Sequence, residues 1–361
     1  MNHFVHQLDG KESQSKNTAD NPVATAEHRQ QGRVSPTRES SSPSAGVFNS
    51  LISALLRRLL KHCGDPPVQF ELPNGLVITN DSGNPAGVIR FADFRTILKL
   101  AFDPIFQFGE AFADKRIQVE GNLPDCLTVI YRAMNDKTRV TKGRHLPDRF
   151  RPPRSTSLRR SRDNIHHHYD LGNDFYRLWL DERMLYTCAY FERDGMTLEQ
   201  AQLAKMDHVC RKLRLRPGMQ VVEAGCGWGA LALHMARHYG VRVKAFNISQ
   251  EQIAWARERA QDRGLDNQVE FIQDDWRTIK GKFDAFVSVG MLEHVGLKNY
   301  QQLGQKISQS LKPQGLGLIH SIGQNQPLPL STWIERRIFP GAYPPTIRQM
   351  MDIFEPGNFQ I

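Results

Sequence analysis

The sequence has few of the features that mark membrane-spanning, secreted or metal-binding chains. No apolar run approaches the roughly 18–20 residues of a spanning helix, and the first ten residues lack the basic and apolar regions of a signal peptide. Cysteine is scarce and irregularly spaced, with no C-x-x-C pair: Cys63, Cys126, Cys188, Cys210 and Cys226. This pattern fits neither a disulfide framework nor a zinc site. We therefore expect a cytoplasmic protein with reduced thiols and no metal.

Two familiar phosphate-binding glycine motifs are also missing. Residues 221–229 read VVEAGCGWG, which has the spacing G-x-G-x-G rather than the dinucleotide pattern G-x-G-x-x-G. No Lys-Ser or Lys-Thr follows the glycines, as a Walker loop requires, and the next strand ends at Asn247 where an NAD site has an acidic residue. The remaining interpretations are a purely structural turn and a nucleoside site of a third kind, for which S-adenosylmethionine is the commonest ligand.

The same stretch contains a strand, a tight turn and a helix. Two valines lead into Gly225, Gly227 and Gly229, and a helical pattern starts at Ala230. Glycine permits positive φ and lets a ligand lie directly on the backbone, while the helix N-terminus presents unpaired N–H groups. The stretch therefore predicts a binding site for a nucleotide-like ligand.

Strand and helix patterns alternate regularly around this turn. Capping boxes, Thr197 with Gln200 and Ser249 with Gln252, predict the starts of two helices. The alternation predicts an α/β fold, a parallel sheet with helices on both faces, which binds ligands at the carboxyl ends of its strands. The predicted strands are 221–224, 241–247, 268–273, 283–289 and 315–322.

Composition divides the chain into four regions. Residues 1–45 are polar and predict a disordered tail, and residues 46–135 predict a small α+β domain with strands at 68–72, 76–80 and 117–120 and helices at 93–102 and after Pro124. A basic linker at 136–163 precedes the α/β domain at 164–361.

Two sets of apolar residues in the small domain each have two interpretations. The stripe Ile52, Leu55, Leu56 and Leu59 indicates a core-facing helix or, alternatively, an interfacial membrane helix. The phenylalanines of the small domain form a core or line an acyl groove: Phe91, Phe94, Phe102, Phe106, Phe108 and Phe112.

The net charge of +9 is concentrated in one segment. Residues 136–162 carry ten Lys or Arg and two Asp, a balance of +8. Such a block attracts an anionic membrane surface by roughly 1 kcal/mol per basic residue near it. Nucleic acid is the competing partner, but Phe150 is the only aromatic residue of the block, so a stacking platform for single strands is missing. We expect a protein peripheral to an anionic membrane, with no specific nucleic acid.

Three motifs, YTCAYF at 186–191, GCGWG at 225–229 and VGMLEHVG at 289–296, together resemble those of the cyclopropane-fatty-acyl-phospholipid synthase family. The resemblance extends from about residue 165 to the end and, more loosely, over 50–135. It implies a class I S-adenosylmethionine-dependent methyltransferase with a Rossmann-like sheet, preceded by the small α+β domain. The implied reaction methylates the cis double bond of an unsaturated phospholipid acyl chain and closes a cyclopropane ring.

The resemblance also implies the residues of the site. A bicarbonate ion would be held by Cys188, Glu293, His320 and the backbone of Ile322, with the first three as the catalytic residues. The implied cofactor contacts are Tyr186, Thr187, Gly225, Cys226, Gly227, Trp228, Gly229, Asn247, Ser249, Gln252, Asp275 and Trp276.

The reaction explains why a base is needed. Methyl transfer to an alkene leaves a carbocation, which must then lose a proton from the new methyl group in a dry pocket. Glu293 and His320 follow the fourth and fifth predicted strands, next to the glycine turn. Without the family resemblance, the simpler interpretation is that Glu293 is a carboxylate in a loop and His320 a histidine in a strand, neither with a catalytic role.

Other functions stay open. The same cofactor-binding half of the domain would serve a methyltransferase that makes methyl-branched fatty acids or methylates a small amine. The non-enzymatic alternative is a lipid-surface binding protein with an inactive methyltransferase domain. A nucleic-acid base methyltransferase is disfavoured because Gly290-Met-Leu-Glu replaces the Asp/Asn-Pro-Pro-Tyr/Phe motif of such enzymes. The family places further sheet strands, a tyrosine and a cysteine beyond the position of Ile361. We therefore expect a C-terminally truncated, poorly active fragment, and a homodimer stays open.

Overall fold

The computed structural model of the chain describes residues 43–79, 85–135, 172–357 and 359–360. The expected basic linker at 136–163 and nearly all of the expected tail at 1–45 lie outside these ranges. The first helix, α1 (Pro43–His62), begins inside the expected tail, three residues before the predicted domain start. No helix in the described ranges is long and apolar enough to cross a membrane.

The small domain is a mixed four-stranded sheet covered by helices. Its strands β1 (Gln69–Glu71), β2 (Val77–Thr79), β3 (Val88–Phe91) and β4 (Ile117–Glu120) pair in the order β2-β1-β3-β4. Only the β1–β3 pair is parallel. The helices that follow or cover the strands are α2 (Phe94–Phe102), α3 (Pro104–Ala113) and α4 (Leu123–Asn135).

The predicted strands near 70, 78 and 118 and the helix near 94–102 are confirmed, whereas β3 and α3 were missed. Ile52 and Leu56 of α1 are buried in the domain core, as the core-facing interpretation of that helix predicts. A core role for all six phenylalanines is wrong. Phe91 is buried against Phe70, but Phe102 is 86% exposed because it ends α2 at the surface.

The second domain is built on a five-stranded parallel sheet in the order β7-β6-β5-β8-β9. Adjacent residues of the central strand point to opposite faces, so Val221 and Val222 belong to two separate apolar clusters. The strands are β5 (Gln220–Ala224), β6 (Arg242–Asn247), β7 (Val269–Gln273), β8 (Phe283–Val289) and β9 (Leu311–His320).

Helices cover both faces of this sheet. One face packs against α6 (Leu198–Lys212), α7 (Ala230–Tyr239) and α8 (Gln250–Asp262), and the other against α10 (Tyr300–Ser310). Shorter helices are α5 (Gly172–Arg177), α9 (Leu292–Val295), α11 (Thr332–Arg337) and α12 (Ile347–Met351). The predicted α/β alternation is confirmed.

Two local predictions need correction. The fifth strand begins at Leu311 rather than Gly315 and contains Pro313, which is tolerated because β9 lies at the sheet edge, with its register shifted near its start. It ends at His320, so Ile322 lies beyond the strand. The Thr197 capping box is confirmed, but Ser249 forms only half of one, because the Gln252 side chain turns to Asn247 instead of the Ser249 backbone.

The small domain contacts the larger one through α3 and α11. Gly109 leaves room for the Trp333 ring, since a Cβ at this position would lie 2.4 Å from the ring. The Glu110 carboxylate accepts hydrogen bonds from Trp333 Nε1 at 3.0 Å and from the Arg337 guanidinium. The Arg336 guanidinium lies over the Phe106 ring, 4.6 Å from its centroid. Apolar packing and charge therefore hold the two helices together.

This contact predicts that Gly109→Ala destabilises the protein when Trp333 is present and stabilises it when Trp333 is absent. In an ordinary helix Gly→Ala stabilises by about 1 kcal/mol, but Gly109→Ala should destabilise by about 1 kcal/mol because the methyl group collides with the Trp333 ring, as overpacking does. In a Trp333→Ala background the collision is absent, so Gly109→Ala should raise the melting temperature. Thermal unfolding of the four proteins measures this coupling. The same sign in both backgrounds would show that the two helices do not pack in this way.

Candidate active site

The glycine turn lies at the carboxyl edge of the second sheet. Gly225, Gly227 and Gly229 all have positive φ, between 55° and 82°. The N–H groups of Gly225 and Cys226 both donate to the carbonyl of Phe246, at 2.8 and 3.1 Å, which fixes the turn to the neighbouring strand. A Cβ on Gly225 would collide with Met291 and one on Gly229 with Phe271, whereas a Cβ on Gly227 would meet nothing within 4 Å. Gly227 therefore faces open space.

The predicted contacts after β6 form one hydrogen-bonded group beside this turn. Asn247 Nδ2 donates to the Gly227 carbonyl at 3.2 Å and to Gln252 Oε1 at 2.6 Å. The Ser249 hydroxyl accepts the Gln252 N–H at the start of α8. Gln252 Nε2 is buried and has no hydrogen-bond partner among the described residues. The group therefore leaves one buried donor for a ligand.

Aromatic side chains line the other side of the turn. The Tyr186 ring lies 4.9 Å from Trp179, 5.6 Å from Tyr176 and 5.8 Å from Phe339, measured between centroids. Trp228 is buried next to Tyr176 and donates from Nε1 to Asn173 Oδ1 at 2.7 Å. Its hydrogen bond therefore joins the glycine turn to the start of α5 (Gly172–Arg177).

Two of the predicted cofactor contacts are already occupied within the chain. Both Asp275 carboxylate oxygens accept from Arg277 Nη1 at 3.0 Å, and the Arg277 guanidinium also covers the Trp276 ring at 4.4 Å. Both residues are buried. The buried thiol of Cys226, whose pKa is raised by burial, packs in the core cluster.

Two of the predicted catalytic residues lie where neighbouring strands end, Glu293 shortly after β8 and His320 at the end of β9. Glu293, in α9, is buried; its Oε1 accepts the Ile322 N–H at 2.7 Å, and its backbone carbonyl accepts the Tyr343 N–H at 2.8 Å. His320 is the last residue of β9, where its carbonyl accepts the Gly290 N–H at 2.9 Å. Glu293 Oε2 and His320 Nδ1 are buried without a hydrogen-bond partner in the described part of the chain. Cys188 is exposed.

Burial shifts Glu293 and His320 toward neutrality. It raises the pKa of Glu293, an effect that the Ile322 N–H partly offsets. It lowers the pKa of His320, and the positive charges of Lys205 and Lys212 lower it further. The structure therefore favours a neutral imidazole and an easily protonated carboxyl group at the same sheet edge, groups that are suited to moving or holding a proton.

A buried polar layer beneath the site was missed by the sequence reasoning. Lys205 Nζ donates to Thr187 Oγ1 at 2.5 Å, and Gln202 Nε2 donates to the Thr187 and Leu185 carbonyls at 2.9 and 3.3 Å. Asp181 Oδ1 accepts the Leu185 N–H at 2.7 Å. The available signal was the sequence LEQAQLAK, in which polar residues three positions apart share the apolar face of a helix with Ala201 and Met206.

Glu223, in β5, belongs to the same layer. It is buried, accepts the Ala232 N–H and has an Oε2 with no hydrogen-bond partner among the residues described. Burial raises its pKa to about 8, and the charge of Lys205 opposes that shift. Glu223 therefore tends to hold a proton in the folded protein.

The Glu223 shift predicts how stability depends on pH. A raised folded-state pKa gives stability that is present below the unfolded value, near 4.5, and is lost as pH rises through about 8. Glu223→Gln removes this ionisation, so its free energy of unfolding should improve relative to the parent between those values, by at most about 1.4 kcal/mol per pH unit. Urea unfolding at several pH values measures the difference. The exposed Glu270→Gln is the control, and parallel pH curves for the parent and Glu223→Gln would contradict the shift.

Comparison with known proteins adds an independent finding. A family model described as mycolic acid cyclopropane synthetase matches residues 156–361, and a domain family of unknown function matches residues 55–142. The cyclopropane-fatty-acyl-phospholipid synthase of Escherichia coli K12 is 46% identical over 190 residues, which cover 52% of this chain and 48% of that protein. The probable fatty acid methyltransferase of Pseudomonas putida is 35% identical over 265 residues, 71% of this chain and 66% of that protein. This chain thus spans about half the length of the E. coli relative.

Solved structures confirm the predicted class I methyltransferase fold. The cyclopropane synthase MmaA2 of Mycobacterium tuberculosis is 33% identical, with a TM-score of 0.53 over 55% of this chain and 75% of that one. The mycolic acid cyclopropane synthase CmaA1, solved in complex with SAH and CTAB, is 32% identical, with a TM-score of 0.52 over the same shares. The sheet, the motifs and the family match agree: this chain belongs to the mycolic acid cyclopropane synthetase family.

Proposed function

We propose that this chain transfers a methyl group from S-adenosylmethionine to the cis double bond of an unsaturated phospholipid acyl chain and closes a cyclopropane ring. The observation that carries the proposal is the pair of buried atoms without partners, Glu293 Oε2 and His320 Nδ1, at the same sheet edge as the glycine turn. Family membership and the names of the relatives support the reaction class.

The residues at the turn fit S-adenosylmethionine, which would supply an electrophilic methyl group on a sulfonium. Gly227 opens onto free space, so a ligand would lie directly on its backbone. Gln252 Nε2 is a buried donor without a partner among the described residues. Tyr186 and Trp179 offer aromatic faces, to which a sulfonium is attracted.

The acid–base residues fit a small oxyanion such as bicarbonate, which would act as a base when bound. Glu293 Oε2 and His320 Nδ1 are free to bind it, and Cys188 is exposed. The resemblance implies that the backbone of Ile322 binds the ion. In the structure the Ile322 N–H instead donates to Glu293 Oε1. It therefore positions the carboxylate, and would reach an ion only if that hydrogen bond were shared or exchanged.

The chain contributes two physical effects to the reaction. When the methyl carbon bonds to one alkene carbon, the bond to sulfur breaks and the other alkene carbon becomes cationic. A buried carboxyl group and a neutral imidazole tolerate this charge better than a second cation would. Ring closure then releases a proton from the transferred methyl group, and Glu293, fixed by Ile322 and by the Tyr343 N–H, orients the group that accepts it.

Product analysis tests the reaction. The chain, with any residues that its gene encodes after Ile361, is incubated with labelled S-adenosylmethionine and vesicles of unsaturated phospholipid, and the fatty acids are examined by mass spectrometry. A cyclopropane product supports the proposal. A methyl-branched acyl chain, a methylated amine, or lipid binding without methyl transfer would replace it by the corresponding alternative.

Glu293→Gln should lower the rate of cyclopropane formation by about 10²–10⁴-fold, the usual effect of losing a positioned acid–base group. The amide removes the negative charge and an acceptor from the anion site while keeping the size of the side chain. Cofactor affinity should change little, and calorimetry checks this. The exposed Glu258→Gln is the control. A rate near the parental one, with normal cofactor binding, would remove Glu293 from the mechanism.

Gly227→Val should abolish measurable binding of S-adenosylmethionine, because its side chain would fill the space above the turn. Gly264→Val is the control for the backbone strain that a valine with positive φ introduces. Gly264 also has positive φ and open surroundings, but it follows α8 at the surface, away from the turn. Calorimetry on folded proteins should show lost affinity only for Gly227→Val. Equal affinity in both variants would mean that the cofactor does not lie on this turn.

We also propose that the chain acts on an anionic membrane surface. The corner between α2 and α3 exposes Leu98, Phe102 and Ile105 beside the exposed cations Arg95 and Lys99. Apolar side chains flanked by basic ones are suited to the interface of an anionic bilayer. The basic block at 136–162 adds charge of the same sign.

Replacing Phe102 and Ile105 by Ser should weaken co-sedimentation with anionic vesicles about tenfold or more, because burying an exposed Phe side chain contributes roughly 1.5–3 kcal/mol. Binding by the parent should also weaken as salt is raised. Leu178→Ser is the control, since Leu178 is 81% exposed but lies in the larger domain. Equal loss in both variants, or binding that is indifferent to salt, would rule out this corner as the membrane contact.

A further inference from the structure

Lys205 is a buried cation at the candidate active site with little to neutralise it. It lies in α6 and is only 6% exposed. Its ammonium has three donors, and the hydrogen bond to Thr187 Oγ1 uses one of them. No carboxylate among the described residues forms an ion pair with it. Two of its donors are therefore available for a ligand.

Keeping a charged lysine at such a position costs free energy. Burial lowers the pKa of Lys205 to about 8, although the charges of Asp181, Cys188 and Glu223 act in the opposite direction. Buried ammonium groups are normally paired, and an unpaired one is destabilising. A partner of opposite charge that arrives with a ligand would remove this cost.

Structural support of the Thr187 loop does not require the charge. Gln202, one turn earlier in α6, already holds that loop through the carbonyls of Leu185 and Thr187. A neutral side chain would satisfy the Thr187 hydroxyl equally well. The ammonium is therefore better explained by a ligand than by the fold.

Lys205 lies where such a ligand would reach it. Thr187 packs directly on Gly290, whose ideal Cβ would be 2.7 Å from Thr187 Cγ2, and the Gly290 N–H is bound to the carbonyl of His320. The Lys205–Thr187 pair thus adjoins the ends of β8 and β9. Two buried acceptor atoms that have no partners in the described ranges belong to residues near this pair: Asp181 Oδ2 and Gln202 Oε1. The Glu223 carboxyl adds a third buried oxygen, Oε2, that is also without a partner there.

This combination of one cationic donor and several free acceptors matches a zwitterion. The amino-acid end of S-adenosylmethionine carries a carboxylate and an ammonium next to each other. Its carboxylate would bind Lys205 and Thr187, and its ammonium would face the unpartnered acceptors. A free oxyanion such as bicarbonate offers the same chemistry to Lys205 but leaves those acceptors unused.

We propose that Lys205 and Thr187 form a binding site for a carboxylate-type oxyanion, with the amino-acid carboxylate of the cofactor as the source that the surrounding acceptors favour. The identity of that cofactor rests on the proposed function. The binding site itself rests on the buried ammonium and its neighbours.

Calorimetry with two cofactor forms tests this site. Parent, Lys205→Met and the control Lys280→Met are titrated with S-adenosylmethionine and with its decarboxylated analogue, which keeps the amine and the sulfonium. Lys280 is an exposed lysine shortly before β8. The parent and Lys280→Met should prefer the carboxylated form by about 10–100-fold, the usual effect of a charge-assisted hydrogen bond. Lys205→Met should bind both forms equally.

A second titration separates the two sources of the oxyanion. If free bicarbonate occupies the site, Lys205→Met keeps the preference for carboxylated cofactor but loses the thermal stabilisation that bicarbonate gives the parent. Loss of the preference for carboxylated cofactor, or loss of the stabilisation by bicarbonate, supports the site. A folded Lys205→Met protein that retains both the preference and the stabilisation overturns the proposal. A parent protein that shows neither of them overturns it as well.

Further variants keep the test decisive if Lys205→Met does not fold. Lys205→Gln keeps a donor for Thr187 without the charge and should show the same loss, whereas Lys205→Arg should recover part of the preference. If the parent binds neither cofactor form, the proposed cofactor fails, and the bicarbonate titration still decides the role of Lys205.

Discussion

The site depends on the parallel pairing of β5 with β6 on one side and β8 on the other. This pairing brings the carboxyl ends of three strands to one edge, and the carbonyl of Phe246 in β6 then fixes the glycine turn by accepting two of its N–H groups. The next pair, β8 with β9, adds Gly290 and His320 to that edge. Without this register, the residues of the three sequence motifs would have no reason to meet.

The same edge concentrates polar atoms that the fold leaves without partners. Buried polar groups are normally satisfied within a protein, so several exceptions in one place indicate a bound molecule. Donors and acceptors are both present: Gln252 Nε2 is a donor, and Asp181 Oδ2 and Gln202 Oε1 are acceptors. The arrangement therefore favours a ligand that carries both kinds of group. The aromatic side chains around Tyr186 add a surface for its apolar or sulfonium part.

The small domain reaches this edge indirectly. Its helix α3 holds α11 through Gly109 and Glu110, and the chain after α11 places the Phe339 ring between Tyr186 and His294. Four residues later the Tyr343 N–H donates to the Glu293 carbonyl. One continuous segment thus connects the surface of the small domain to both sides of the site.

The sequence by itself determined the α/β class, the strand–turn–helix at residues 221–239 and the residues that end the strands. These features follow from hydrophobic period, glycine spacing and capping residues, which act over a few positions. Strand β3 and helix α3 were missed because short elements carry weak periodic signals, and Phe102 was misplaced because composition does not say which side of a helix is covered. Only the tertiary structure showed that Lys205 lies under Thr187, that Ile322 serves Glu293 and that Asp275 is taken by Arg277. Contacts of this kind depend on which residues the sheet brings together across many positions, and no local pattern encodes that.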